Sequence, residues 1–198
     1  MLLHLVRHAH YAQFDQALGG REPHALSPAG QAQADAVAGR FARRPVASVT
    51  SSPVRRALET AALIAARLGL PAEPDNAFNE IDYAGWTGRR FADLDGDPAW
   101  RAWNAFRSTA GVPGGETMLQ VQARAIGGVT RIAAQAGPEA VIVTHADVIK
   151  AILAHFLGAP LDLIHRLEIA PASISQAILT PQDARVIAVN CLAWDALD

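Results

Sequence analysis

Leu2-Leu3-His4-Leu5-Val6-Arg7-His8 sets four apolar residues around one histidine and closes on a cation and an imidazole. The first five read as a strand buried in a sheet, so Arg7 and His8 stand where that strand stops. A guanidinium placed there can hold oxyanion oxygens through paired hydrogen bonds. A neutral imidazole nitrogen beside it can attack phosphorus and carry the group covalently. Alone, an Arg-His pair at a strand end reads as surface, the common place for arginine. Arg56 and His145 alter that reading, because each also lies next to the end of an apolar run.

Outward from this stretch, apolar runs alternate with helical patterns. This predicts an α/β fold of three layers, with helices on both faces of a mostly parallel mixed sheet. Residues 46–50 and 140–143 read as further strands, 72–74 as a short extended piece, and 166–170, 173–179 and 186–190 as weaker strands. Ser27-Pro28 predicts a helix start, with serine as cap and proline in the first turn. Ser52-Pro53 repeats that signal for a helix running to Leu68 and stopped by Gly69. Residues 116–136 read as a long helix with Leu119, Val121, Ala125, Ile126 and Val129 mostly on one side, and 146–157 as a helix ended by Gly158 and Pro160. Residues 11–26 read as a long loop and 76–88 as irregular. Trp100, Trp103 and Phe106 predict a small helical insertion at about 89–112. No repeat or linker divides the chain, so residues 1–198 are expected to form one domain carrying that insertion.

With 198 residues, 51% hydrophobic and 18% charged, the chain can bury a sizeable core. Seventeen basic residues against nineteen acidic ones give a net charge of −2. No general attraction to nucleic acid or anionic lipid is expected, and any anion binding is local. The one cysteine, Cys191, allows neither an intrachain disulfide nor a cysteine-rich metal site, and fits a reducing compartment. No signal-peptide pattern precedes the first strand, and no apolar stretch nears the ~18 residues of a bilayer span. A cytoplasmic protein is the expectation.

Open α/β sheets bind ligands at strand ends. Arg7 and His8 follow the first strand, residues 51–56 the second and His145 the third, so two arginines and two histidines meet in one crevice. The helix start after residue 52 adds free N–H groups and the positive end of a helix dipole. A phosphate so held is neutralised without metal. A proton donor for the leaving oxygen is still needed, and Glu80 is the candidate, in an irregular loop with Asp82, Tyr83 and Trp86. Partial burial or the neighbouring carboxylate would keep one acid protonated near neutral pH.

Five segments then resemble a known family in order: Leu5-Val6-Arg7-His8, Ser51-Ser52-Pro53-Val54-Arg55-Arg56-Ala57-Leu58-Glu59-Thr60-Ala61, Glu80-Ile81-Asp82-Tyr83-Ala84-Gly85-Trp86-Thr87-Gly88, Pro113-Gly114-Gly115-Glu116 and Val143-Thr144-His145-Ala146. They are similar to the signatures of the histidine phosphatase superfamily, the phosphoglycerate mutase-like group, from residue 2 to about 154. α-Ribazole phosphatase is a similar member of its phosphatase branch. The resemblance implies a metal-independent two-step transfer with no cofactor. His8 would attack the phosphoryl group, Glu80 would protonate the departing alcohol, and water activated by the same carboxylate would hydrolyse the phosphohistidine. Arg7, Arg56 and His145 would hold the phosphoryl oxygens through both steps. The family pattern selects Arg56 over Arg55, since its arginine directly precedes the alanine matched by Ala57.

Two departures touch the site. Ala9 and Ala146 stand where the family usually has glycine, which is expected to narrow the pocket. His10 stands where an acid or glutamine is usual. His10 and Ala146 are therefore expected among the substrate contacts, with His24 near enough in sequence to join them. The 11–26 loop lacks the polar residues expected of the mutases.

The resulting expectation is a phosphomonoester phosphatase acting on a small phosphorylated metabolite. Mutase-type phosphoryl transfer is the runner-up, since the mutases are generally longer, with extra segments closing the site. Two readings come from other classes. His4, His8 and His10 share strand parity and, with His145 and Asp147, can be drawn as the divalent-metal site of a hydrolase. Against it, Arg7 would repel the cation and Arg56 would have no role. A non-catalytic phospho-ligand module would keep the arginines but has no use for His8 and Glu80. Trp100, Trp103 and Phe106 read as insertion packing, with an apolar wall for substrate as the lesser alternative. The apolar stretch at 187–197, with Trp194, reads as either a homodimer interface or an edge of the core.

Overall fold

The structure, a computed structural model, describes residues 1–192 except Asp15 and Ala136. Its strands are β1 (Leu2–Arg7), β2 (Val46–Ser51), β3 (Ala72–Pro74), β4 (Glu139–Thr144), β5 (Ile174–Leu179) and β6 (Ala184–Cys191), and its helices α1 (Pro28–Gly39), α2 (Arg55–Leu68), α3 (Phe91–Leu94), α4 (Pro98–Ala105), α5 (Met118–Ala133) and α6 (Ala146–Leu157). The strands form one sheet in the order β3-β2-β4-β1-β5-β6. The first four in that order are parallel, β5 runs antiparallel to β1, and β6 runs antiparallel to β5 and so in the direction of the first four.

Alternation along the strands divides the core into two layers. Leu3, Leu5, Ala140 and Ile142 face Met118, Val121, Val148 and Ile149 of α5 and α6. Val6, Val141 and Val143 face Val37, Ala38, Ala57, Ala61 and Ile64 of α1 and α2. Each such side chain fully withdrawn from water contributes about 1.5–3 kcal/mol to folding, with the smaller alanines contributing less. This is the three-layer arrangement expected of the sequence pattern.

Ser27 caps α1 as expected, accepting a hydrogen bond from Gly30 N, with proline in the first turn. Gly30 has no room for a side chain, since a Cβ there would lie 2.0 Å from the His10 carbonyl oxygen. That contact draws the start of α1 against the chain leaving β1.

Three expectations are corrected. α2 begins at Arg55, capped by Val54, and not at Ser52-Pro53. The Ser52 hydroxyl accepts from Val54 N in a turn before the helix and is engaged elsewhere, as described below. Residues 166–170 are not a strand: the chain there leaves a 3-10 turn at Leu161–Arg166 and runs irregularly. Within the expected insertion, Phe106 lies just past the end of α4 and is 59% exposed, so it does not join the packing of Trp100 and Trp103. Residues 193–198, including Trp194 and most of the stretch considered as an interface, lie outside the described residues.

Candidate active site

In the β1–β4–β2 register, Val6 stands opposite Val143 and Val143 opposite Ser51. The residues that follow on each strand therefore emerge side by side. His8 N donates to the Thr144 carbonyl at 2.9 Å, and Ser52 N donates to the Val143 carbonyl at 2.9 Å. β4 lies between β1 and β2, so the chain switches direction across this edge, the place where open sheets form a crevice.

His8 is buried, and its Nδ1 donates to the Ala9 carbonyl at 2.8 Å. That bond leaves Nε2 with its lone pair, facing the Arg56 Nε donor at 3.2 Å. Burial, followed by Arg56 and Arg7, pushes the His8 pKa well below the ordinary histidine value, so the ring is neutral near pH 7. His145, also buried, accepts from Arg56 Nη2 at its Nδ1 (3.2 Å) and donates from Nε2 to the Ser52 hydroxyl (2.8 Å). Burial, then Arg56 and His8, likewise lower its pKa well below the usual range. The two imidazole centroids lie 5.1 Å apart.

Arg56 is 1% exposed and is fixed by backbone acceptors, Gly20 O at 2.7 Å and Glu22 O at 3.3 Å. Arg7 donates to Ile169 O, while among the described residues its buried Nε has no hydrogen-bond partner. An orphaned donor on a buried guanidinium is costly, and an oxyanion in the crevice would satisfy it.

Glu80 closes the other side. Its Oε2 lies 3.3 Å from His145 Nδ1 and 3.6 Å from Arg56 Nη2, and its Oε1 accepts from Ile81 N at 3.0 Å. Burial raises its pKa to about 7 against the opposing pull of Arg56, with Asp147 adding to the rise. The carboxylate that matters is thus Asp147. Asp82, the expected neighbour, is turned outward to Arg21 and Ala84 N.

The loop carrying Glu80 is held from behind by Glu116, whose Oε2 accepts from Asp82 N at 2.9 Å and whose Oε1 accepts from Arg124 Nε at 2.9 Å. Gly115 lies so close that a Cβ would sit 2.1 Å from Asp82 O. The Pro-Gly-Gly-Glu motif is therefore a support for Glu80.

These groups border a cavity of about 430 Å³ whose lining includes Arg7, His8, Arg56, Glu80 and Ala146. Ala146 is the first residue of α6, where helix N–H groups lack intrahelical acceptors. His10 is not brought in: its Nδ1 meets the Ser27 hydroxyl at 2.9 Å and its ring packs on Phe14, outside the lining. His24 is held by Glu22 and stacked on Tyr11. Ala9 does not narrow the pocket, because its methyl is buried with Leu26, Ala34 and Ala172. Trp103 is buried in the main core and does not line the cavity, where Tyr83 and Phe91 stand instead. Of the histidines drawn as a metal set, His8 and His145 come together, while His4 and His10 are held elsewhere. His4 is bound by Glu139 and Gln176, and among the described residues no three His, Cys, Asp or Glu side chains form a metal-binding group.

Residues 3–192 match the histidine phosphatase superfamily (branch 1). The chain belongs to that superfamily. A bifunctional protein of Mycobacterium tuberculosis is 35% identical over 178 residues, 87% of this chain and 49% of that protein. The chain spans about half the length of that relative. A glucosyl-3-phosphoglycerate phosphatase of Mycolicibacterium vanbaalenii is 33% identical over 147 residues, 69% of this chain and 65% of that protein. The solved structure of a mycobacterial glucosyl-3-phosphoglycerate phosphatase with VO3 superposes with a TM-score of 0.86 at 28% identity, covering 96% of this chain and 98% of that one. The α-ribazole phosphatase from Shigella flexneri shares the fold, with a TM-score of 0.86 at 23% identity over 96% of each chain.

As a member of the superfamily the chain also carries parts that sequence reading missed. Ser52 orients His145. Thr60 accepts from Ala9 N at 3.1 Å and so holds the segment after His8. Both lie inside motifs quoted above, but a hydroxyl that orients a histidine has no spacing signature of its own. Tyr11, Phe14 and Asp147 enter the cavity through long-range packing, which local pattern cannot display.

Proposed function

We propose that this chain is a phosphomonoester phosphatase working through a phosphohistidine at His8. The observation that carries the reading is a pair of opposed protonation states in one cavity: an unprotonated His8 Nε2 and a Glu80 carboxyl whose pKa of about 7 keeps it largely protonated at mildly acid pH. In the first step Nε2 bonds to phosphorus, the bond from phosphorus to the ester oxygen breaks, and Glu80 gives its proton to that oxygen. Arg7 and Arg56 hold the phosphoryl oxygens, with Ala146 N–H at the helix start beside them, and His145 joins them in the tautomer in which Ser52 donates to its Nε2 and its Nδ1 carries the proton. In the second step the Glu80 carboxylate takes a proton from water as its oxygen attacks phosphorus. The P–N bond breaks, inorganic phosphate leaves, and His8 and protonated Glu80 are restored. No step calls for a cofactor.

The substrate class is a small phosphorylated metabolite, in keeping with relatives named as phosphatases. We treat the chain as one catalytic unit whose segment at about 89–112 helps to wall the site. We place it in the cytoplasm, since it has a lone cysteine and no described helix is long and apolar enough to cross a membrane. The test is phosphate release from p-nitrophenyl phosphate together with a base quench that traps label on His8, stable in alkali and lost in acid. His8→Ala is expected to lower kcat by roughly 10³-fold or more and to abolish the label. Interconversion of phosphoglycerates without phosphate release would overturn the reading in favour of a mutase.

A further inference from the structure

The chemistry at His8 leaves the alcohol half of the substrate unspecified, and the cavity wall beyond the reacting groups bears on it. That wall is built by Tyr11, Phe14 and Leu18 from the loop after β1, Tyr83 from the Glu80 loop, and Phe91 from α3. Phe14 lies over the Arg7 guanidinium at 4.8 Å and Tyr11 over that of Arg56 at 5.0 Å, so each clamp arginine has an aromatic face against it. Apart from the reacting groups, the carboxylate of Asp147 is the one charged side chain in the lining among the described residues. Arg107 binds Asp147 Oδ2 at 2.8 Å but stacks on Trp103 at 3.4 Å and does not line the cavity. The carboxylate is therefore the member of the pair that a substrate meets. Burial works against its charge, but Arg107 and Lys150 outweigh burial and hold the Asp147 pKa below the usual range.

We infer, resting on the phosphatase reading, that the preferred substrates are phosphomonoesters with an apolar, ring-bearing alcohol part and no second anionic group, and that Asp147 turns such anions away. Both clamp arginines are committed to the phosphoryl oxygens, so a substrate carboxylate or second phosphate would meet Asp147 with no cation in the wall. Like charges brought together in a partly desolvated site discriminate strongly. Aromatic and aliphatic walls favour a leaving group that buries apolar area.

The probes are 4-methylphenyl phosphate and 4-carboxyphenyl phosphate, which differ by one carboxylate. The carboxylate improves the phenolate as a leaving group, so a lower rate reports the pocket and not the chemistry. Wild type is expected to show a kcat/KM at least about tenfold lower for the carboxy ester, and Asp147→Asn to close most of that gap. Should Asp147→Asn fail to fold with Arg107 left unpaired, the double variant Asp147→Asn, Arg107→Met supplies the same ratio with a neutral wall. Phe91→Ser is expected to raise KM for the methyl ester roughly three- to tenfold with kcat little changed. Equal or faster turnover of the carboxy ester by wild type, or a gap that persists in a folded Asp147 variant, overturns the inference while the phosphatase reading stands. No phosphate from either ester counts against the phosphatase reading itself.

Discussion

Glu80 shows most sharply how burial becomes chemistry. A carboxyl raised from 4.5 to about 7 is still mostly protonated where an exposed one is ionised, so it can serve as an acid at near-neutral pH. Turnover limited by the first step is expected to fall as pH rises above about 7, in a kcat–pH profile whose basic limb disappears in Glu80→Gln along with most activity. The same shift has a stability sign. The folded pKa lies above the unfolded one, so the stability linked to Glu80 is fully present below about 4.5 and is lost as pH rises through about 7. Glu80→Gln is therefore expected to gain on the order of 2 kcal/mol over wild type at pH 8 and little at pH 4.5. A Tm difference that does not grow with pH would refute this. That His8, Arg56, Glu80 and His145 come together was legible in the sequence, because strand ends and motif order point to one crevice. Asp147 was legible only as a ligand in a metal site, since nothing local shows that it, and not Asp82, faces Glu80.

Among elements, the supports are as informative as the strands. The Glu80 loop has no regular hydrogen-bond ladder of its own, only short 3-10 turns, so its place is set by Glu116, Arg124 and the close approach at Gly115. Gly115→Ala would put a methyl 2.1 Å from Asp82 O and force the loop outward. The expected result is a kcat lowered by roughly tenfold to 10²-fold, since misplacing a catalytic group by about 1 Å costs that much. Competitive inhibition by inorganic phosphate, which reads the arginine clamp, should change by less than about threefold. Equal losses in both would mean the clamp and the acid are not separately supported. The start of α2 shows why the sequence misled. Ser52-Pro53 has the form of a cap, but Ser52 bonds His145 and turns the chain, and the helix starts at Arg55. Residues 166–170 alternate like a strand, yet they join no ladder: Ala170 N donates to the Asn190 side chain of β6, an edge strand, and not to a backbone carbonyl.

Over the whole molecule, buried histidines outweigh Glu80 in setting the response to pH between about 5 and 7. His4, in the middle of β1, is lowered first by burial despite its bond to Glu139, and His8 and His145 are lowered well below the usual value. A histidine with a depressed folded pKa contributes stability that is present above its unfolded value and lost as pH falls below about 6.5. Three such groups against the single opposite effect of Glu80 predict a Tm that declines from pH 7 to pH 5. The double variant His8→Gln, His145→Gln should flatten that decline, and a Tm that rises on acidification would refute the balance. The layers, the parallel sheet and the common strand-end crevice were readable from periodicity alone, because they depend on repeated local pattern; the aromatic wall of the cavity was not, because Tyr11, Phe14, Tyr83 and Phe91 come from three separate irregular or short segments. That same separation lets selection treat the molecule as two heritable parts. Arg7 and His145 stand at strand ends and Arg56 at the start of α2, all tied to the core, while Tyr11, Phe14 and Phe91 belong to a loop and a one-turn helix outside the core clusters, so the rim can change its shape and chemistry while the sheet beneath it stays the same.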